Sequence, residues 1–382
     1  MKNWTLYRWA LQLIPVRGQA SISTFSQKDS PESVFKRHRV LGGTLALFDE
    51  SGIREAMAFG VSHLSGEKAA LDTVYRAASI SKFVTALGAM RLKEQGRLSL
   101  DQDVNAYLPF SLRHPKAPDT PITLRMLLSH TAGIHDGDAY NAGIARGEGL
   151  SRLLQDDSFT DHPPRTQWEY SNFGAGIAGV VMECACHTDF ETLMQETVFD
   201  PLGVTATYYP QKVQGDLADA VRILPRSKAP DYNAAQRRAR PLPPAKVDVE
   251  QHYALAHGSL CISVPELVKV GMAGMQPGFL QEDSLLDMRK KITSFGQRAP
   301  NLHQGIGTFL LMEPRITPHW LYGHQGMAYG AVHGLFFDPE TGRGLAVLTT
   351  GASEARRGVL SDLNFHLLSM YLGKAAQNGP GD

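Results

Sequence analysis

Apolar and polar positions along this chain change period several times. The stretch GGTLALFDESGIREAMAFGVS (42–62) holds two apolar runs joined by DESG, and this predicts a β-hairpin. From 80 to 97 the period lengthens. Phe83, Ala86, Leu87, Met90 and Leu92 recur at helical spacing, and EQGR closes the helix at Gly96. Helical patterns separated by Pro/Gly loops then continue to about 275, with DHPPRTQ (161–167) leading into a helix over NFGAGIAGVVMECAC (172–186). Strand-like runs return over 304–350 in GIGTFLLM, AVHGLFFDPETG and RGLAVLTTG, with DPETGRG as a second hairpin turn. GVLSDLNFHLLSMYLG (358–373) predicts a closing helix that ends at Gly373.

Strands near both ends with helices between them predict an α/β (α+β) fold in which the termini build one sheet. The cleft between sheet and helices is then the natural place for a site. The expected division is an extension over 1–36 and a single domain over 37–378. Within it, a sheet subdomain takes about 37–80 and 276–378, and a helical subdomain about 81–275. Residues 207–250 break the pattern: LPRSKAPDYNAAQRRARPLPPAK is rich in proline and arginine and lacks periodicity. It reads as a long surface insertion, with a basic recognition patch as the alternative. The first residues, MKNWTLYRWALQLIPVRGQA, predict a short amphipathic helix around 4–13. Arg8 and Gln12 interrupt the apolar run and no small-x-small cleavage site follows, so a cytoplasmic protein is expected rather than an exported one. No window reaches the 18 or so apolar residues that a membrane span needs.

Composition narrows the partners. The 382 residues are 43% hydrophobic and 20% charged, with Lys+Arg and Asp+Glu both 38. This balance gives no general attraction to nucleic acid or anionic membrane. A small-molecule or short-peptide substrate fits it better. Cys184, Cys186 and Cys261 make no disulfide framework. The first two stand two apart on a helical stretch with no second Cys/His cluster, so they read as packed thiols. No metal or other cofactor is expected.

Candidate chemistry lies in YRAASISKFVTALGAM (75–90). Residues three apart on a helix share a face, which makes Ser79 and Lys82 neighbours and turns Ser81 elsewhere. A serine hydroxyl is a weak nucleophile until a base takes its proton. A lysine serves as that base once burial and nearby positive charge lower its pKa. Free N–H groups at the helix start could also hold a developing oxyanion. Ser-x-x-Lys alone is unspecific, because an exposed lysine at a helix start is common.

Two further segments change its weight. WEYSNFGAGIAG (168–179) carries Tyr170-Ser171-Asn172 ahead of a helix, and YGHQGMAYGA (322–331) carries His324-Gln325-Gly326 among strand-like runs. In this order the three motifs resemble those of the serine β-lactamase and penicillin-binding-protein superfamily: S-x-x-K, Y-x-N, then K-T-G or H-x-G. The similarity is greatest to the branch with class C β-lactamases, family VIII carboxylesterases and D-aminopeptidases. It runs from about 38 to 372, supported by RLSLDQDVNAYLP (97–109), ITLRMLLSHTAGI (122–134) and HGSLCISVPELVKVG (257–271). The resemblance implies the β-lactamase/transpeptidase-like fold. It makes Ser79 the acylated nucleophile, Lys82 its activator, and Tyr170 a second base that passes the proton to the leaving group. Asn172 would hold Lys82 and the substrate's acyl side. His324 would take the place of the third motif's lysine, Gly326 would let the backbone approach the ligand, and the N–H groups of Ser79 and Met327 would form the oxyanion hole.

Three departures bear on the substrate. Histidine at 324 matches the esterase and aminopeptidase branches better than the β-lactamases. Gln325 stands where a threonine or serine usually meets a substrate carboxylate. If its length fills that pocket, ligands that depend on the carboxylate are recognised poorly. His257 in HGSL either reaches toward the cleft or caps a loop. His130 in LLSHTAGI reads as structural, since no G-x-S-x-G elbow exists to partner it. The expected activity is a metal-independent serine hydrolase working through an acyl-enzyme on a small ester or amide. Esterase chemistry comes first, a D-amino-acid peptidase or amidase second, and β-lactamase or penicillin binding third. A non-catalytic ligand-binding member of the fold is the alternative from another class.

Overall fold

The computed structural model describes residues 29–222 and 230–373. The amphipathic helix expected at 4–13 lies outside them. The first hairpin forms where the pattern places it: β1 (Gly42–Asp49) pairs antiparallel with β2 (Gly52–Gly60). At its turn the Asp49 carboxylate accepts the Ser51 N–H at 2.9 Å, an aspartate turn of the expected kind. The C-terminal half supplies β3 (Thr293–Ser294), β4 (Leu302–Gln304), β5 (Phe309–Leu311), β6 (Leu321–Ala328), β7 (Ala331–Asp338) and β8 (Arg343–Thr350). Together they make one eight-stranded sheet in the order β2-β1-β8-β7-β6-β5-β4-β3. Gly42 stands opposite Thr350 and Asp49 opposite Arg343, so strands from distant parts of the chain join at its centre. The α/β reading, with both ends of the chain in one sheet, matches this architecture.

The helices used below are α1 (Pro31–Arg37), α2 (Ile80–Glu94), α3 (Leu124–Leu128), α4 (Asn172–Cys186), α5 (Tyr253–Ala256), α6 (Val264–Met275) and α7 (Asp362–Tyr371). Side chains alternate across a strand, and here both faces are covered. Leu335, Phe337, Ala346 and Leu348 pack with Phe83 of α2 and Leu267 of α6. Phe336, Leu345 and Val347 pack on the other face with Phe35 of α1 and Leu363 and Leu367 of α7. Val34 and Phe35 are fully buried, so the packed body begins earlier than residue 37. Each such side chain removed from water contributes roughly 1.5–3 kcal/mol. α2 is the central element, with every residue from Ile80 to Met90 buried. That explains its nearly uninterrupted run of small and apolar residues.

The surface-insertion reading of 207–250 needs correction. Tyr208, Tyr209, Val213, Leu217, Val221, Tyr232 and Ala234 are buried. Ala206–Thr207 pairs with Cys261–Ile262, which pairs in turn with Tyr75–Arg76 just ahead of α2. Among the described residues of this segment, only the stretch from 238 to 247 is continuously exposed. These residues dock one at a time, and single anchors leave no period to detect. Among the described residues, no helix is long and apolar enough to cross a membrane, and no group of His, Cys, Asp and Glu is arranged to hold a metal ion.

Candidate active site

Ser79 occupies the N-cap position of α2, yet its side chain makes no capping hydrogen bond. Serine usually stabilises a helix start in this place. Here its hydroxyl is directed to other partners. The preceding residue, Ala78, has φ of +49°, a left-handed conformation that costs a non-glycine residue of order 1–3 kcal/mol. This turn presents Ser79, which is partly exposed, beside the buried Ile80 and Lys82.

Lys82 lies one turn along α2, with Nζ 3.1 Å from Ser79 Oγ. It donates to Asn172 Oδ1 at 2.8 Å and to the carbonyl of His257 at 2.6 Å. Burial lowers its pKa to about 7, with help from the Arg76 charge and against the pull of Asp136. A neutral amine has two N–H bonds and one lone pair. With two carbonyls taking the donors, the lone pair is left for the Ser79 hydroxyl.

Tyr170 completes the triangle, its hydroxyl donating to Ser79 Oγ at 2.8 Å. Burial pushes this phenol above its usual range, so it stays protonated at neutral pH. Its ring lies 4.5 Å from that of His130, and His130 Nδ1 accepts the Ser171 N–H at 3.2 Å. Burial pushes the His130 pKa well down. The ring is thus a neutral platform for Tyr170, and its bonded nitrogen serves the backbone.

Asp136 fixes the start of α4. Its carboxylate accepts from Asn172 Nδ2 at 2.7 Å, from the Phe173 N–H at 2.9 Å and from the Ser171 hydroxyl at 3.1 Å. Asn172 is thereby oriented with its oxygen on Lys82. No local pattern marks Asp136, which lies 36 residues before Asn172. His257 follows the last residue of α5 and enters through its carbonyl, while its ring nitrogen Nδ1 stands 3.2 Å from the carbonyl of Tyr253, the first residue of that helix. Both readings of that residue missed this, because a backbone contact carries no side-chain signal.

On β6, Gly326 faces Ser79. A Cβ there would lie 2.2 Å from the Ala77 carbonyl and 3.2 Å from the Ser79 nitrogen, so only glycine fits. His324 shares this face of β6 but is buried. Its ring stacks on Phe309 at 4.1 Å and its Nδ1 lies 2.6 Å from the Gln325 carbonyl. Its pKa is lowered to about 3 by burial and the nearby Lys82. Gln325 corrects an expectation: its side chain points to the opposite face. Oε1 accepts the Ser361 N–H at 3.0 Å and Asn364 Nδ2 at 3.3 Å, and Nε2 donates to the Val359 carbonyl. It cannot fill a ligand pocket beside Ser79, because successive strand residues face opposite sides. Met327 also packs its side chain on that far side.

This constellation of Ser79, Lys82, Tyr170 and Asn172, seated between one sheet and a helical layer, carries the order of motifs read in the sequence. A family model described as Beta-lactamase matches residues 22–367. The chain belongs to the Beta-lactamase family. It is similar to penicillin-binding protein 4 of Amycolatopsis lactamdurans, 33% identical over 172 residues. That match covers 44% of this chain and 44% of the relative, so the chain spans under half the length of this curated relative. Esterase EstB of Burkholderia gladioli is 27% identical over 361 residues, covering 85% of this chain and 90% of the esterase. Among solved structures, EstCE1, described as a hydrolase with promiscuous acyltransferase activity, superposes with a TM-score of 0.71. At 21% identity it covers 97% of this chain and 99% of its own, a likeness of fold.

Proposed function

We propose that this Beta-lactamase family member is a serine hydrolase with esterase-like activity on a small ester or amide. The observation that carries the reading is the double contact at Ser79 Oγ, with Lys82 Nζ at 3.1 Å and Tyr170 Oη at 2.8 Å. In the proposed reaction Ser79 Oγ attacks the substrate carbonyl carbon while its proton passes to the Lys82 lone pair. The tetrahedral oxyanion is met by the N–H groups of Ser79 and Met327. Strand register supports the second donor. Gly323 directs both its N–H and its carbonyl to Thr308, on the β5 side and away from β7. Met327 is four residues on, and a strand repeats every two, so its N–H points the same way.

The tetrahedral species collapses by breaking the bond to the leaving group. That oxygen or nitrogen takes the Tyr170 proton, and Tyr170 is reprotonated from the Lys82 ammonium. Lys82 Nζ lies 5.0 Å from the Tyr170 ring centre, close enough to favour the transient phenolate. Water then attacks the acyl-enzyme by the same route, so one ester and one water yield one acid and one alcohol. Esterase chemistry is placed first because the similarity to esterase EstB extends over most of both chains. The substrate is a small molecule.

The test is rapid mixing with 4-nitrophenyl esters of short acids. A burst of nitrophenol close to one equivalent, followed by slower turnover, is expected. Folded protein that gives neither burst nor turnover on aryl esters, D-amino-acid amides and a chromogenic β-lactam refutes the proposal.

A further inference from the structure

Arg76 stands three residues before Ser79, on the short strand Tyr75–Arg76. Its Cζ lies 5.5 Å from the Tyr329 ring centre and 5.9 Å from that of Tyr232. Arg222 stands over the same Tyr329 ring at 5.7 Å, and Arg237 over the same Tyr232 ring at 5.2 Å. Three guanidinium groups thus gather around two phenol rings. Arg222 has counter-charges, Glu354 at 3.2 Å and Asp231 at 3.7 Å. Among the described residues, no carboxylate comes within ion-pair distance of Arg76 or Arg237.

The position of Arg76 is what gives this charge a use. A Cβ on Gly258 would lie 3.1 Å from Arg76 Nη2, and Gly258 follows the residue whose carbonyl holds Lys82. Tyr329 lies two residues beyond Met327, on the hairpin tip. That tip is pinned at Gly330, where a Cβ would meet the Val221 carbonyl at 2.0 Å. The guanidinium is therefore bracketed by the two segments that flank Ser79, and like Ser79 it is partly exposed. Tyrosine rings satisfy the faces of a guanidinium but leave its N–H edge free, and that edge matches a carboxylate bidentately.

We propose that Arg76 anchors a carboxylate on the substrate, so that the site selects esters and amides bearing a carboxylate near the scissile carbonyl. Anion recognition then falls to a residue three positions before the nucleophile, since Gln325 is turned to the far face of the sheet. The substrate class rests on the acyl-transfer reading above. The anion site itself does not.

Two matched pairs test this. Mono-4-nitrophenyl glutarate against 4-nitrophenyl pentanoate places the charge on the acyl side, and 4-carboxyphenyl butyrate against phenyl butyrate places it on the leaving side. In one pair, kcat/KM for the charged ester should exceed that of its neutral partner at least tenfold. Arg76→Met should bring that ratio to about one, and Arg76→Lys should keep part of it. A ratio of one or less in both pairs for the wild-type protein overturns the proposal, as does a ratio unchanged in folded Arg76→Met. Calorimetry on Ser79→Ala with glutaric acid monoanilide reads the anion site without turnover. Binding should weaken at least tenfold when Arg76→Met is added, and equal binding overturns the proposal. Loss of binding with no turnover by the wild type leaves the anion site standing and removes the hydrolase reading. Turnover without carboxylate preference does the reverse.

Discussion

Lys82 Nζ lies 3.1 Å from Ser79 Oγ and is held there by two oxygens, Asn172 Oδ1 at 2.8 Å and the His257 carbonyl at 2.6 Å. Both holders are acceptors, so the amine is positioned by its donors whether charged or neutral. Burial decides between the two states near pH 7.

The base must be neutral to take the Ser79 proton, and its pKa is lowered to about 7. Ester kcat/KM should therefore rise about tenfold per pH unit below 7 and level off above it. Lys82→Ala should cost roughly 10²–10⁴-fold, the usual worth of a positioned general base. Initial rates from pH 5.5 to 9 check both. A flat profile in the wild type would contradict the assignment.

Tyr170 enters as a proton donor, because burial holds its phenol protonated. Tyr170→Phe should then penalise alkyl esters more than aryl esters, since a phenolate leaves without help. A loss of roughly 10²–10⁴-fold on alkyl esters, and clearly less on nitrophenyl esters, is the expected split. Equal losses on both would point to a purely structural tyrosine.

Gly326→Ala places a methyl group 2.2 Å from the Ala77 carbonyl, a clash only a backbone shift can relieve. Overpacking of this kind typically costs about 1–3 kcal/mol of stability. Here the shift also moves Ser79. Activity should fall by more than the unfolded fraction explains, which parallel urea titration and ester assays will separate.

Gln325 faces α7, so Gln325→Leu should behave as a core lesion. It strands the Ser361 N–H and the Val359 carbonyl, at roughly 1–3 kcal/mol for each buried group left unpaired. KM for small esters should stay within about twofold. A KM change without loss of stability would return Gln325 to the ligand pocket.

His63 ties the start of the 207–250 segment to the body. Its Nε2 lies 2.7 Å from Asp216 and its Nδ1 3.2 Å from Asp219. These carboxylates raise its pKa to about 9. A group whose folded pKa is raised stabilises fully below its unfolded value of about 6.5 and loses that effect as pH rises through 9. The stability difference between wild type and His63→Gln should therefore be largest near pH 6 and shrink toward pH 10. Denaturant titrations across that range check it.

Much of this architecture was legible in the sequence, and the reasons are local. The 80–94 helix, the 172–186 helix and the first hairpin announce themselves through period and punctuation. Ser79 and Lys82 meet because three residues is nearly one helical turn. What was hidden depends on chain segments meeting from afar. Asp136 reaches Asn172 across 36 residues, and His257 acts through a carbonyl. Gln325 was misread because position within a motif does not reveal which strand face a side chain takes. Tyr208, Tyr209 and Tyr232 dock singly, so the 207–250 segment looked like an ordinary surface loop. Arg76 gave no signal at all until two tyrosines from other segments were seen around it.

One experiment bears most directly on Ser79 as the nucleophile: treatment with a fluorophosphonate, followed by intact-mass and peptide mass spectrometry. The expected result is a single adduct on Ser79, absent in Ser79→Ala and formed at least 10²-fold more slowly in Lys82→Ala. Folded wild-type protein that stays unmodified, or that carries the adduct on another residue, would contradict it.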